Sequence, residues 1–183
     1  MIQIGKPHPV HRLYLAVFFF AALAATADAL AQSRQEVVYS VEGWPRLSTR
    51  KDGKAIAMSF TFGVQVPAGK PSVQDFAMTM PVGDPFTLFM RSALRGETLK
   101  SVLIEFPLAG EGSGPRAPFA ARLTEVRVTS VQLGKSSGDA GPGIAEVKLQ
   151  ASRFEIFTGT QDPRGAITGG QQMGWDQRTG KAF

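Results

Sequence analysis

The chain has 183 residues, with 20 basic and 15 acidic side chains, a formal net charge of +5, two histidines and no cysteine. The lack of cysteine excludes a disulfide framework, thiolate catalysis and a lipid anchor on cysteine. Both histidines, His8 and His11, lie near the start, so a domain without that start has no residues for a Ser-His-Asp triad, a Cys-His dyad or a His- or Cys-ligated zinc site.

Lys6, His8, His11 and Arg12 form a basic opening, Leu13 to Ala25 is an unbroken run rich in apolar residues, and Ala29-Leu30-Ala31 supplies small residues. This layout predicts a secretory signal peptide over residues 1–31, cleaved between Ala31 and Gln32. The apolar run is shorter than the ~20 residues a spanning helix needs, and no later stretch is as apolar, so no stable membrane span is expected. Residues 32–183 then make one domain with one core. Losing Lys6, Arg12 and Asp28 would turn 20 basic and 15 acidic residues into 18 and 14. That mild excess is spread thinly, so no nucleic-acid partner is expected. The nearest thing to a patch, Arg50, Lys51 and Lys54, reads as a solvated loop.

Along the domain, Val37, Tyr39 and Val41 alternate as a short strand does. Trp44 to Gly53 is a polar loop with Pro45 and Gly53 as breakers. Ile56, Met58, Phe60, Phe62, Val64 and Val66 fill every even position, which predicts one half-buried strand with these six toward the core. Phe76, Met78 and Met80 alternate again. Asp84 before Pro85 is a candidate helix cap, with the proline at the first helical position. Phe86, Phe89, Met90, Ala93 and Leu94 make one apolar stripe, Arg91 and Arg95 lie late in the helix, and Gly96 can stop it. Val102, Ile104 and Phe106 form the next strand. Two later strands change phase: Leu123 gives way to Val126 and Val128, then to Val131 and Leu133, and Val147, Leu149 and Ala151 give way to Phe154 and Ile156. Such flips mark a bulge or a strand bending between sheets. The connections Gly110 to Pro118 and Gly134 to Gly143 are rich in Gly and Pro. The expected fold is α+β, mainly β: an antiparallel two-sheet β-barrel, closed or nearly closed, with one short helix packed outside.

The acids, among them Glu97, Glu105, Glu111, Glu125, Glu146 and Glu155, are spaced singly and read as outward strand faces. A glycosidase-type pair would have to be assembled by the fold. Ser136-Ser137 reads as a turn. No catalytic residue, metal ligand or cofactor is expected.

The stretch GKPSVQDFAMTM, residues 69–80, followed by the proline-started helix, resembles the haemolysin-coregulated protein (Hcp) family, the tube proteins of type VI secretion. Arg122 to Asp139, Glu146 to Gln161 and Gly174 to Phe183 resemble the family's later strands and its Gly-Trp end, and SVEGWPRLS and AMSFTFGVQV resemble its first strands. The resemblance covers the whole of residues 32–183. It implies a structural protein and not an enzyme, whose copies form homo-hexameric rings stacked into a hollow tube. The partners implied are other copies, a spike protein, a sheath and carried effectors. By the same analogy the loop after the first strand contacts the next ring. Trp44, Arg46 and Arg50 are therefore candidate stacking residues, and Lys70, Gln74 and Asp75 are motif positions. Read from the residues alone, Trp44 equally suits a loop aromatic covering its own core, and Gln74 and Asp75 suit turn and strand-edge chemistry. The family assembles its tubes in the cytoplasm and lacks signal peptides. The leader-like start therefore supports a second expectation, an exported stand-alone Hcp-like barrel that binds a ligand or partner in the cell envelope.

Overall fold

The computed structural model describes residues 36–45, 47, 52–69, 71–107, 117–134, 143–161 and 167–183. The expected leader, its cleavage point at Ala31 and Gln32, and the boundary between residues 31 and 32 lie outside the described residues. So do most of the two Gly/Pro-rich connections.

Among the described residues eleven strands and one α-helix follow one another. They are β1 (Val37–Val41), β2 (Ala55–Ala57), β3 (Ser59–Thr61), β4 (Val64–Gln65), β5 (Ser72–Val73), β6 (Phe76–Pro81), α1 (Asp84–Arg95), β7 (Thr98–Phe106), β8 (Phe119–Gly134), β9 (Ile144–Gln161), β10 (Ile167–Asp176) and β11 (Lys181–Ala182). Every pairing is antiparallel. The main sheet runs β11-β10-β9-β8-β7-β1-β2, β6 joins the side of β9 and pairs in turn with β3, and β4 and β5 pair only with each other. The chain is thus mainly β with one short helix, as expected. Its closure differs from that of a continuous barrel. The stretch from Ala55 to Thr61 changes partner at Met58, from β1 to β6, with the Met58 amide donating to the Thr79 carbonyl at 2.7 Å.

That break overturns the expected single strand over residues 56–66. Ala55 and Ala57 face the core at 3% exposure, whereas Ile56 is 40%, Met58 55%, Val64 51% and Val66 61% exposed. Phe60 turns inward to stack on Phe76 and meets Phe106 and Phe119 edge-on or tilted, and Phe62 lies at the margin of the same aromatic cluster. Period-two spacing was correct, but the apolar row faces water at both its ends. The other alternating strands behave as expected, with Phe76, Met78, Met80, Val102 and Ile104 buried.

The phase changes in the long hairpin sit where the sequence places them. Leu123 faces Phe154 and Val126 faces Ala151 across the ladder, all four buried. Both strands therefore reverse faces at one level, and Glu125 takes φ 53 there, a left-handed conformation uncommon for a residue with a Cβ. A second reversal lies at Thr129, where Val128 faces Leu149 but Ser130 faces Lys148. Two residues on β8 oppose one on β9, which is a β-bulge.

The helix corrects two expectations. Gly83, not Asp84, is the N-cap, and no side chain caps it; Asp84 sits in the first turn, where its charge suits the dipole. The buried face centres on Phe89 and Ser92, flanked by Phe86 and Leu88, while Leu94 is 81% exposed. Ser92 can be buried because its hydroxyl donates to Glu97 Oε2 at 3.2 Å. Gly96 ends the helix at φ 62, its amide bonding the Ala93 carbonyl and that of Glu97 bonding Ser92.

Candidate assembly surface

The resemblance candidates separate once placed. Arg46, Arg50 and Lys70 lie outside the described residues. Trp44 follows the β1 turn, its amide bonded to the Val41 carbonyl at 3.2 Å, and its ring meets Phe89 edge-on at 4.8 Å. It is half-buried and closes the gap between the helix and β1, where Tyr39 also meets Phe89 at 6.0 Å. Tyr39 is wholly buried, its hydroxyl donating to Met80 Sδ at 3.3 Å, and burial raises its phenol well above the ordinary range.

Gln74 and Asp75 hold backbone geometry. The Gln74 amide donates to the Gly63 carbonyl at 2.8 Å, and its side chain lies so close that a Cβ at Gly63 would stand 2.7 Å from Oε1. Together they close the small β4–β5 hairpin. Asp75 Oδ2 accepts from the Thr129 hydroxyl at 2.6 Å, tying the start of β6 to the bulge in β8. No pattern in the sequence pointed to Thr129, because the bulge that presents it is a property of two strands together.

Ion pairs lie on or beside several of the strands. Lys54 pairs with Glu105, Lys100 with Glu42 and Lys148 with Glu146, the last at 3.4 Å. Shallow grooves cross the sheet. One, of about 340 Å³, is lined by Leu103, Glu105, Arg122, Glu155 and Ile156 among others. Such alternation of opposite charges suits a solvated strand face. Among the described residues no group of three or more His, Cys, Asp or Glu converges to hold a metal ion, and no helix is long and apolar enough to cross a membrane.

At the end of β10 the turn Gln177–Gly180 is wound around Asp176. Its carboxylate accepts from the amides of Arg178 and Thr179 and from the Arg178 guanidinium. The Arg178 bond, helped by the turn amides, holds the Asp176 carboxyl below its ordinary value. Arg178 also reaches Glu125 at 3.2 Å, and Arg153 lies over the Phe183 ring at 4.5 Å.

Among the described residues several large apolar side chains are also left in water. Ile56, Met58, Phe62, Val64 and Val66 are exposed in one stretch, with Met173 exposed on β10. Among the described residues β4 pairs with β5 alone, and the outer side of β10 is held at Trp175 and Asp176 by β11 and at Gly174, whose carbonyl accepts from the Phe183 amide at 3.1 Å. Exposed strand edges and contiguous apolar surface are what a protein covers by association.

No protein-family model matches the chain, and no curated protein matches it. Solved structures do. A type six secretion system protein superposes with a TM-score of 0.70 at 15% identity, over 81% of this chain and 99% of that one. Hcp1 from Salmonella typhimurium gives 0.65 at 13% identity, over 81% and 99%. A type VI secretion system effector from Yersinia pestis gives 0.62 at 18% identity, over 76% and 98%. The chain has the Hcp-like fold.

Proposed function

We propose that the chain is a structural, ring-assembling subunit resembling the Hcp tube protein of type VI secretion, and that it acts by self-association and not by chemistry at a pocket. The observation that carries this reading is the fold likeness, a TM-score of 0.70 over 81% of the chain. The apolar residues exposed between Ile56 and Val66 and the short β4–β5 pair support it, because exposed apolar surface and strand edges are what association covers. Copies closing into hexameric rings and stacking would form a hollow tube. Effectors in its lumen, a spike at its tip and a surrounding sheath are the partners this reading names. Trp44, Arg46 and Arg50 near the first turn are its candidate stacking residues.

A second reading is favoured by one feature, the basic, apolar and small-residue succession of residues 6–31. A subunit exported by such a leader would fold in the envelope as a stand-alone Hcp-like module that binds a ligand or partner there. Size-exclusion chromatography with light scattering on the purified protein separates the two. Species at a fixed multiple of the monomer mass support the tube subunit. A monomer that persists as concentration rises supports the stand-alone module.

A further inference from the structure

We propose that the face of β7, β8 and β9 turned away from the core binds an uncharged oligosaccharide. This deepens the stand-alone reading above by naming the class of ligand.

The sheet builds the surface by setting short side chains among long ones. Ala120, Arg122 and Thr124 share one face of β8, while Ala121 and Leu123 between them belong to the core. Directly opposite neighbours carry that face across the strands. One row runs Glu105, Ala120, Phe157 and Gln172, and the next runs Ser40, Leu103, Arg122 and Glu155. Ala120 is thus the low point among longer side chains, in the groove of about 340 Å³. Beyond the Leu103–Arg122 row, Ser40, Ser101 and Thr124 are the short residues of a second groove, of about 530 Å³. Leu103 and Arg122 line both, so the two adjoin. Ala120 and Thr124 stand about 14 Å apart along β8, which suits a chain of linked units and exceeds one sugar ring.

The polar groups on this surface suit hydroxyls. Arg122 and Glu155 stand opposite each other in the ladder, yet neither side chain has a hydrogen-bond or ion-pair partner among the described residues. A guanidinium only donates and a carboxylate only accepts. Side by side they match a pair of adjacent hydroxyls, each of which does both. Ser40, Ser101 and Thr124 add three more hydroxyls to the second groove. Phe157 adds apolar area to the first. Gly170 leaves room for that ring, because a Cβ there would stand 2.7 Å from it.

Charge and shape narrow the class further. Arg122, Lys100 and Lys54 stand against Glu42, Glu105 and Glu155, with Lys54 paired to Glu105 and Lys100 to Glu42. Signs so balanced do not gather a polyanion. Both grooves are shallow, whereas sites for compact small molecules enclose most of the ligand's surface. An extended peptide gains its main-chain hydrogen bonds at a strand edge, and this surface is the face of paired strands. A neutral chain of hydroxyl-bearing rings fits all three constraints.

The test is saturation-transfer NMR followed by titration calorimetry on the full chain. The probes are cellotetraose and tetra-N-acetylchitotetraose as uncharged saccharides, tetragalacturonate as an acidic one and tetra-alanine as a peptide. Arg122→Ala removes the donors and Ala120→Leu fills the first groove. Arg91→Ala, on the exposed side of α1, is the control. At least one uncharged saccharide should bind, with an affinity little changed by a rise in salt. Arg122→Ala and Ala120→Leu should each weaken it about 10-fold while keeping the wild-type circular dichroism spectrum, and Arg91→Ala should leave it unchanged. Failure of both uncharged saccharides to bind, binding indifferent to both groove variants, or tighter binding of the acidic probe or the peptide overturns the proposal. Light scattering on the same samples judges the stand-alone reading separately. Ring-sized species refute that reading whatever the probes do, and a monomer that binds neither uncharged saccharide refutes the ligand class alone.

Discussion

Phe89 is the side chain on which the helix depends. It has no exposed surface, it is the only large apolar side chain of α1 that is fully buried, and it meets the rings of Trp44 at 4.8 Å and Tyr39 at 6.0 Å. Replacing it with alanine removes the transfer energy of a buried ring and leaves a cavity, together about 3–5 kcal/mol. Loss of two aromatic contacts lies toward the upper part of that range, and alanine's better helix propensity returns about 0.5 kcal/mol. A loss of about 4 kcal/mol is a large share of a stability of order 5–15 kcal/mol. With a urea slope of about 2 kcal/mol/M, the midpoint should fall by about 2 M at fixed protein concentration. The two tryptophans make the assay local as well as global. Trp44 lies on Phe89, and Trp175 lies on β10. Fluorescence of a W175F background should therefore report the loss of the helix contact directly. A loss under about 1.5 kcal/mol, with Trp44 emission unchanged, would refute the view that α1 is anchored through this ring.

Three smaller outcomes follow from the same packing. The folded state raises the Tyr39 phenol above its unfolded value near 10 through burial, so its contribution is complete below pH 10 and lost as pH rises beyond it; Tyr39→Phe should flatten that alkaline loss in denaturant melts. Gly96→Ala places a Cβ at φ 62 with no atom within 4 Å of it, so it should cost about 1 kcal/mol through backbone conformation alone, and a cost near zero would mean that the helix can end elsewhere. Thr129→Val and Asp75→Asn should each cost about 1 kcal/mol by weakening the 2.6 Å bond at the bulge, and the double variant should cost less than the sum, as measured by a double-mutant cycle.

The strands whose core residues are large were legible, and so were the two reversals in the long hairpin, because a parity change in an apolar series has few structural meanings. The row from Ile56 to Val66 was legible as a period but not as a direction. Alternation says that a strand has two faces, and the larger residues were assigned to the core. Here the core face of β2 is made by Ala55 and Ala57, small enough to look neutral, and the switch at Met58 depends on a change of partner that no single strand encodes. The helix stripe was misplaced by a similar route. Ser92 is buried by virtue of its bond to Glu97, and Leu94 is left outside. β10 had no apolar pattern to read, since its Gly and Gln residues are held by backbone pairing with β9. Gln74 and Asp75 came from resemblance alone, and the structure gives each a local bond, one to Gly63 and one to Thr129. For Trp44 it places the ring on the chain's own Phe89.

The account stands on association of copies through surfaces that the monomer leaves uncovered. Negative-stain electron microscopy of the purified full chain, at concentrations spanning the midpoint of assembly, tests this most directly. The account predicts closed rings of uniform size with an open centre, stacking end to end as concentration rises. Isolated single-subunit particles at every concentration would contradict it.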